Sequence, residues 1–410
     1  MGTETRRRRV RSLGVATVAA AVAALAVFGG TAASAPQQRT QITINTLPIA
    51  NGLPLDLGIR KGFFEKQGLE IKKNVLQSGN DIVLALANRR DELGYIGYVP
   101  AFIARTQGIP VTVVAASDVE GTNEADNWQN IMVRGNSSIR TPADLAGKTV
   151  AVNALKGVGE VMIKAALKKR GVDPNSVRLL AMPFPTMRTA LRNGQVDAIW
   201  APEPFVSQAL NLDGARIVMA PGPVLGRFWP IGCYVAVNEW TRRNPGLATK
   251  FRAAMTESLR YAQSHPDEVR TLLPPGTQNV RLPIWSPLID RGKLLQLAKY
   301  TREYDVIDAL PNLAQLVPAN IASGLTLQAA VTNRGVLLKA DGKDFKTLNA
   351  GPYTFVVSDR SRTQSFRLDG PGVHRRTSVK GTGRSTWTVT LRRGTYRYGS
   401  AAQKRSFRVT

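Results

Sequence analysis

The strongest constraint on the fold is an alternation of short apolar segments with amphipathic ones, which runs from residue 41 to about residue 324. Residues 111–115, VTVVA, form a continuous apolar run of the kind seen in strands that a sheet buries on both faces. Residues 81–89 instead cluster their apolar side chains at helical spacing. Strands and helices that alternate in this way predict an α/β fold with mainly parallel sheets.

Two irregular segments interrupt this alternation. Residues 118–127 are polar and show no periodicity, and residues 222–232 are irregular and rich in Gly and Pro. Because the two segments bracket one βα block, we predict two lobes, with the second inserted into the first. The bilobal domain would cover residues 36–324. Lobe 1 would comprise about residues 41–118 and 225–324, and lobe 2 would span about residues 125–220.

The composition changes after residue 324, where helix formers give way to Thr, Ser, Arg, Gly and aromatic residues. Residues 353–357 (YTFVV) and 386–391 (TWTVTL) alternate in a period of two, and Gly-rich turns separate such runs. This pattern predicts a small all-β sandwich over residues 325–410.

Positive charge is concentrated in the same C-terminal region. The formal net charge of the chain is +26, and residues 325–410 carry 17 Lys and Arg against four Asp. A basic surface favours anionic partners such as cell-wall polymers or lipid headgroups. The alternative is a solvated basic surface without a particular partner, and no specific nucleic-acid partner is expected.

The amino terminus has the three parts of a secretory signal. Residues 6–11 are basic, residues 13–28 are apolar but short for a membrane span, and residues 29–35 are mostly small. We therefore expect a signal peptide over residues 1–35 and an extracytoplasmic location, either periplasmic or secreted and associated with the cell wall. An uncleaved anchor is the alternative. No cysteine lies near the cleavage region, so no lipid anchor is expected there.

The sequence gives little support for catalysis or for a cofactor. Cys233 is the only cysteine, which excludes an internal disulfide and a Cys-based metal cluster. His265 and His374 have no acid, cysteine or second histidine at metal-ligand spacing. The segment that begins Gly157-Val158-Gly159 lacks the last glycine of a dinucleotide loop, because Met162 occupies that position. We predict a protein that is not an enzyme and holds neither metal nor cofactor.

The loops that follow the predicted strands point to ligand binding instead. In open α/β sheets, ligands bind beyond the carboxyl ends of the strands, where helix amino termini present free N–H groups to anions. Small polar residues and aromatic residues recur at these positions. The candidate ligand-binding residues are Asn51, Ser78, Asn80, Tyr98, Ser117, Asn153, Lys156, Phe184, Trp200 and Glu203.

Several of these candidates also have a purely structural interpretation. Ser78 and Asn80 are good helix N-caps without any ligand. Tyr98 and Phe184 could be packed aromatic residues, and Lys156 could be a solvated loop lysine.

Residues 194–205, GQVDAIWAPEPF, predict a buried strand that ends in an aromatic side chain. Pro202 and Pro204 cannot continue a strand, so Trp200 should leave its carboxyl end as a wall of the ligand site. Glu203, held between the two prolines, could accept hydrogen bonds from the ligand, from the segment between the lobes, or from local backbone only.

Four segments resemble one known family. Residues 55–71, 91–98, 140–152 and 194–205 are similar to segments of the periplasmic-type substrate-binding proteins of ABC importers, in the nitrate/sulfonate/taurine/thiamine-precursor branch. The resemblance implies a two-lobed, type II-like periplasmic-binding-protein fold that traps a small ligand by closure, and a membrane permease as partner. The implied ligand is a small anionic or heteroaromatic nutrient, of the sulfonate, nitrate, taurine or pyrimidine type.

This chain departs from that family in two ways. The usual lipid-anchor cysteine is missing, and a C-terminal domain is added. Some relatives make a pyrimidine precursor from their own histidine, but these carry a cysteine-rich motif that is absent here.

The added domain resembles a cupredoxin over residues 364–373 and 387–398. Gln364 and Ser400 stand at or near places where copper-binding members have a histidine and a cysteine, so copper is not expected. The competing function is an exported sensor or adhesin without a transport role, whose basic β domain docks on an anionic wall polymer.

Overall fold

The computed structural model describes residues 39–410 apart from residues 126, 278–279, 319, 322–324, 341–342, 349–350, 380 and 402. The signal peptide predicted for residues 1–35 lies outside the described residues. None of the helices described is both long enough and apolar enough to cross a bilayer.

The first part of the chain alternates strands and helices as predicted. Its elements are β1 Thr40–Thr46, α1 Leu53–Arg60, β2 Leu69–Val75, α2 Gly79–Ala87, β3 Leu93–Gly97, α3 Tyr98–Thr106 and β4 Val111–Ala116. All six residues of β4 are buried, which explains why its sequence shows no polar alternation. The chain then leaves this block through a first crossing, residues 118–127, which contains the two-residue strand β5 Asp118–Val119.

The second block has the same alternation. Its elements are β6 Gln129–Val133, β7 Thr149–Val152, α4 Val158–Lys169, β8 Arg178–Ala181, α5 Phe184–Arg192, β9 Ala198–Pro202, α6 Phe205–Asp213, β10 Arg216–Met219 and α7 Pro221–Leu225. Helix α7 lies at the start of the second crossing, residues 222–232, which the sequence predicted to be irregular. Pro221 at the first position of α7 has the φ angle that a helix needs and no N–H to leave unpaired there.

The chain then returns to the first block. The returning elements are β11 Gly232–Val237, α8 Asn238–Arg243, α9 Pro245–Ser264, α10 Pro266–Arg270, β12 Ile284–Trp285, α11 Arg291–Glu303 and α12 Leu313–Leu316. Strand β11 pairs antiparallel with both β3 and β4, and β12 pairs antiparallel with β5.

Two five-stranded sheets organise these elements. The first sheet has the order β2-β1-β3-β11-β4, and the second sheet has the order β10-β6-β9-β7-β8. The chain therefore leaves the first sheet after β4, builds the whole second sheet, and re-enters the first sheet at β11. This topology is the predicted insertion of one βα block into another; the exact lobe boundaries stay a prediction.

The C-terminal strands form two further sheets. They are β13 Leu325–Thr332, β14 Gly335–Ala340, β15 Thr347–Leu348, β16 Gly351–Asp359, β17 Arg367–Gly370, β18 Val373–Arg376, β19 Gly383–Leu391, β20 Gly394–Gly399 and β21 Lys404–Val409. The sheets have the orders β14-β13-β16-β19 and β15-β21-β20-β17-β18, and they enclose a common apolar core around Phe355, Phe366 and Tyr396. The added all-β region is thus present, and its likeness to a cupredoxin stays a prediction.

The C-terminal strands pack against both crossings. Val356 of β16 shares a buried apolar cluster with Val119 of the first crossing, Phe228 of the second crossing and Ile284 of β12. The hydroxyls of Ser286 and Thr354 lie 3.4 Å apart at the same interface. This contact fixes one C-terminal sheet on the segments that join the two α/β sheets.

Candidate functional site

A small cavity lies between the first and second sheets. Its volume is about 50 Å³. It is lined by Leu47, Ile49, Asn51, Gly79, Asn80, Tyr95, Gly97, Pro100, Trp128, Gln129, Asn153, Ala154, Gly157, Val158, Phe184, Trp200, Pro202 and Ile231. These residues come from both blocks of the chain, so the cavity exists only where the two meet. We call it the cleft cavity.

Four helices begin at the cleft cavity. Gly79 is the first residue of α2, Gly97 and Gly157 are the N-cap residues of α3 and α4, and Phe184 is the first residue of α5. All four line the cavity. Helix amino termini carry unpaired N–H groups and partial positive charge, so the four together favour an anion at this place.

Three buried polar atoms on lining residues have no hydrogen-bond partner within the described part of the chain. They are the indole Nε1 atoms of Trp128 and Trp200 and the Oδ1 atom of Asn51. A buried donor or acceptor without a partner costs about 1–3 kcal/mol. Groups of this kind are expected to find their partners in a bound ligand or in water.

Asn51 is held in place by a buried carboxylate. Its Nδ2 atom donates to Asp118 Oδ2 at 2.6 Å, and the Tyr95 hydroxyl donates to Asp118 Oδ1 at 2.7 Å. Trp285 Nε1 donates to the backbone oxygen of Asn51 at 3.2 Å. Burial penalises the charged form of Asp118 and raises its pKa to about 6, although the bonds from Tyr95 and Asn51 oppose this.

The structure brings five of the ten predicted residues to the cleft cavity. They are Asn51, Asn80, Asn153, Phe184 and Trp200. Trp200 is only 4 % exposed, and its ring lies 6.1 Å from that of Phe184, centroid to centroid. A Cβ atom on Gly159 would lie 2.6 Å from the Trp200 ring, so the close approach of α4 to this side chain requires glycine. The ligand role of these five residues remains a prediction.

The other five predicted residues do not line the cleft cavity, and their ligand role also remains a prediction. The Ser78 hydroxyl caps α2, accepting from the Asp81 N–H at 3.1 Å. Tyr98 is buried in the core beside Phe102, as the first residue of α3.

Ser117 and Lys156 both form hydrogen bonds within the chain. Ser117 is buried, and its backbone oxygen accepts from the Ser286 N–H at 2.8 Å. The side chain of Lys156 is exposed, while its backbone N–H donates to Glu160 at 2.7 Å. Lys156 adopts a positive φ of 52°, so the turn before α4 directs it away from the cavity wall.

Glu203 joins the two sheets instead of facing the cavity. Its side chain is fully buried and accepts from Ser207 N at 2.9 Å, Ser207 Oγ at 2.8 Å and Arg281 N at 3.2 Å. Its backbone oxygen accepts from Ala50 N at 2.8 Å, and its N–H donates to the Trp128 oxygen at 2.8 Å. Burial raises the pKa of this carboxyl, and the bonds from Ser207 and Arg281 oppose the shift. Of the predicted roles, the structure gives Glu203 that of a connector between the blocks.

Replacing Glu203 by glutamine is expected to lower the free energy of unfolding by about 1–3 kcal/mol. The carboxylate receives three donors, and an amide must turn its NH₂ towards at least one of them, which leaves that donor unpaired. Urea denaturation measures the effect. Glu70→Gln at an exposed position of β2 is the control, and equal losses in the two variants would contradict the role of Glu203.

Several lining residues were not predicted from the sequence, for one geometric reason. The rule for parallel sheets points only to positions after strands. Strand β6 runs antiparallel to β9, with Gln129 opposite Pro202, and β11 runs antiparallel to β3, with Gly232 opposite Gly97. The amino ends of β6 and β11 therefore lie at the cavity, which brings Trp128, Gln129 and Ile231 into its wall. The aromatic Trp128 at the end of a polar crossing was the available signal.

Comparison with known proteins fits this architecture. The model of the family described as NMT1/THI5 like matches residues 50–269, more than half of the chain. The chain belongs to the NMT1/THI5-like family.

Two relatives illustrate what this NMT1/THI5-like protein is similar to. The taurine-binding periplasmic protein of Escherichia coli is 25% identical over 209 residues, which cover 50% of this chain and 61% of that protein. The nitrate/nitrite binding protein NrtA of Nostoc is 21% identical over 249 residues, which cover 56% of each chain. The chain thus spans about six-tenths of the length of such relatives.

Solved structures show the same fold. The alkanesulfonate-binding protein SsuA of Xanthomonas axonopodis pv. citri, bound to MOPS, has a TM-score of 0.58 at 20% identity and covers 68% of this chain and 98% of its own. SsuA of Escherichia coli has a TM-score of 0.56 at 20% identity, with coverages of 69% and 98%. These matches confirm the predicted two-lobed periplasmic-binding-protein fold.

Proposed function

We propose that this protein is the extracytoplasmic solute-binding component of an ABC importer and that it holds a small ligand in the cleft cavity. The observation that carries the proposal is the set of buried, unpartnered polar atoms on Asn51, Trp128 and Trp200 around one cavity between two sheets. Relatives described as periplasmic binding proteins for taurine and for nitrate or nitrite support it. A membrane permease is the implied partner.

Several groups around the cleft cavity suit an anion. The amino termini of α2, α3, α4 and α5 begin there, although the first N–H of α3, on Tyr98, already donates to the Ile231 oxygen. The two indole N–H groups have no partner among the described residues. Several N–H donors around one point match the oxygen atoms of a sulfonate or a nitrate.

One acceptor in the wall of the cavity suits a donor on the ligand. Asn51 Nδ2 is committed to Asp118, which leaves the Asn51 Oδ1 atom as an acceptor. The Asp118 carboxylate directly behind it adds negative potential. An ammonium group on the ligand would donate to Asn51 Oδ1 and would be attracted by the Asp118 carboxylate. The cavity therefore favours a short aminosulfonate of the taurine type over nitrate, which has no donor.

The size of the cleft cavity agrees with a short ligand. A volume of about 50 Å³ holds only about four water molecules. A bulky heteroaromatic nutrient would need the two sheets to stand further apart. Binding of a small zwitterion for transport is therefore the favoured function, and a sensor or adhesin without a transport role is the alternative.

Thermal unfolding with and without ligand tests the proposal. Taurine at one hundred times its Kd should stabilise the protein by about 2.7 kcal/mol, because it binds only the folded state. Ethanesulfonate, which lacks the amine, should stabilise it less at the same concentration, and nitrate least. No stabilisation by any sulfonate would overturn the uptake function, whereas equal effects of taurine and ethanesulfonate would overturn only the role of Asn51.

A further inference from the structure

A second and larger cavity lies between the C-terminal strands and the two crossings. Its volume is about 740 Å³. It is lined by Thr122, Asn123, Ala125, Arg227, Phe228, Gln328, Ala329, Ala330, Val331, Thr332, Leu337, Lys339, Val356, Ser358 and Arg360. Thr122, Asn123 and Ala125 belong to the first crossing, and Arg227 and Phe228 belong to the second. The other lining residues belong to β13, β14 and β16, apart from Arg360, which directly follows β16. We call this cavity the basic groove.

Three cations from separate parts of the chain meet in the basic groove. They are Arg227 of the second crossing, Lys339 of β14 and Arg360 directly after β16. Within the described part of the chain, no residue lining the groove carries a carboxylate. Like charges gathered in one concave place raise its positive potential and attract anions.

Among the described residues, the partners of Arg227 and Lys339 compensate little of this charge. The Arg227 guanidinium donates to the neutral amide oxygen of Gln328. Lys339 Nζ lies 3.9 Å from Asp344, whose side chain is 84% exposed, so solvent weakens that pair. The groove therefore keeps a net positive potential.

The remaining lining suits a chain with polar substituents. Thr332, Ser358 and Asn123 present hydroxyl and amide groups. The Nε2 atom of Gln328 is buried and has no hydrogen-bond partner among the described residues. Cations with neutral donors beside them fit phosphate or sulfate oxygens, which accept charge-assisted bonds.

We propose that the basic groove is a second ligand site, which binds a linear polyanion bearing phosphate or sulfate groups. Its volume of about 740 Å³ leaves more room than the cleft cavity, at about 50 Å³. The proposal does not depend on the solute of the cleft cavity, because no lining residue is shared between the two.

The site needs the docked arrangement of the C-terminal strands. Val356 lies in the groove wall and in the apolar cluster with Val119, Phe228 and Ile284. The same buried contact that fixes the sheet on the crossings thus forms one wall of the groove. A polyanion bound there would bridge the C-terminal strands and the second crossing through Arg360 and Arg227.

Calorimetric titration of the full chain tests the proposal, with inorganic tripolyphosphate and a sulfated oligosaccharide as the probes. Both should bind more tightly than orthophosphate, which reaches one cation at a time. Arg360→Gln and Arg227→Gln should each weaken tripolyphosphate binding about tenfold, the effect of one lost charge-assisted hydrogen bond. Both side chains are exposed, so the fold should tolerate the changes.

Arg405→Gln is the matched control, an exposed arginine on β21 in the other C-terminal sheet. Its binding should equal that of the unmodified protein, as should that of Trp200→Phe in the cleft cavity. Equal weakening by Arg405→Gln would show attraction by overall charge and overturn the groove as a site. Weaker tripolyphosphate binding in Trp200→Phe would place the polyanion in the cleft cavity and would also overturn the groove as a site. Tighter binding of one probe identifies phosphate or sulfate as the natural chemistry.

Discussion

Replacing Trp200 by alanine is expected to lower the free energy of unfolding by about 3–5 kcal/mol and to remove ligand binding in the cleft cavity. The side chain is almost fully buried in the core of the second sheet and also lines the cavity. Its removal leaves a void beside Phe184 and Gly159, which the close contact of α4 cannot fill. Chemical denaturation and ligand titration measure the two losses.

Because the alanine variant changes packing and binding together, Trp200→Phe separates them. Phenylalanine keeps most of the apolar contact but lacks the unpartnered indole N–H. The affinity for taurine should fall about tenfold, and the stability of the ligand-free protein should change much less. The matched control is Trp240→Phe on α8, which lies outside the cavity lining. Unchanged affinity in Trp200→Phe would assign Trp200 to the core alone.

Raising the pH from about 4 to about 8 is expected to destabilise the protein through two buried carboxyls of the first crossing. Burial raises the pKa of Asp118 to about 6 and that of Glu120 to about 7. At pH values between the ordinary pKa and the raised pKa of each carboxyl, the folded protein keeps a proton that the unfolded chain has released. Unfolding then releases protons, so stability falls as the pH rises. The loss is on the order of 3 kcal/mol for each group and is complete above about pH 8.

Urea denaturation at pH 5, 6, 7 and 8 measures this trend. Glu120 accepts from Gln129 Nε2 and from the Gly121 N–H, so glutamine retains one acceptor but cannot ionise. Glu120→Gln should therefore flatten the dependence between pH 5 and pH 7. Asp267→Asn is the control, because that side chain is 98% exposed and should leave the slope unchanged. A stability that rises with pH over this range in the unmodified protein would contradict the prediction.

The strand–helix alternation was predictable because it follows from the local spacing of apolar residues. Residues 111–115 and 81–89 follow their own hydrophobic patterns wherever they pack, and the structure places β4 and α2 there. The predicted insertion of one block into another followed from the two irregular interruptions. Such signals need no knowledge of which strands pair.

The candidate site was predictable only in part, because it depends on strand direction. Asn51, Asn80, Asn153 and Phe184 follow strands, and Trp200 lies within β9, whose last residue, Pro202, also lines the cavity. Ser78 has the same kind of position, yet its hydroxyl is used by the backbone of α2. Position after a strand brings a residue near the site, but local hydrogen bonding decides whether its side chain is available.

The sequence by itself determined the fold class, the nested blocks, the all-β C-terminal region and a buried strand that contains Trp200. The predicted end of that strand at Trp200 was wrong, because β9 continues through Pro202, which pairs with Gln129 of β6. Tertiary structure alone decided that Trp128 faces the cavity, because the antiparallel pairing of β6 with β9 brings an amino end to the ligand side. It also turned Glu203 towards Ser207 and Arg281, and it gathered Arg227, Lys339 and Arg360 in one groove. These placements depend on contacts between residues far apart in the chain, which no local pattern encodes.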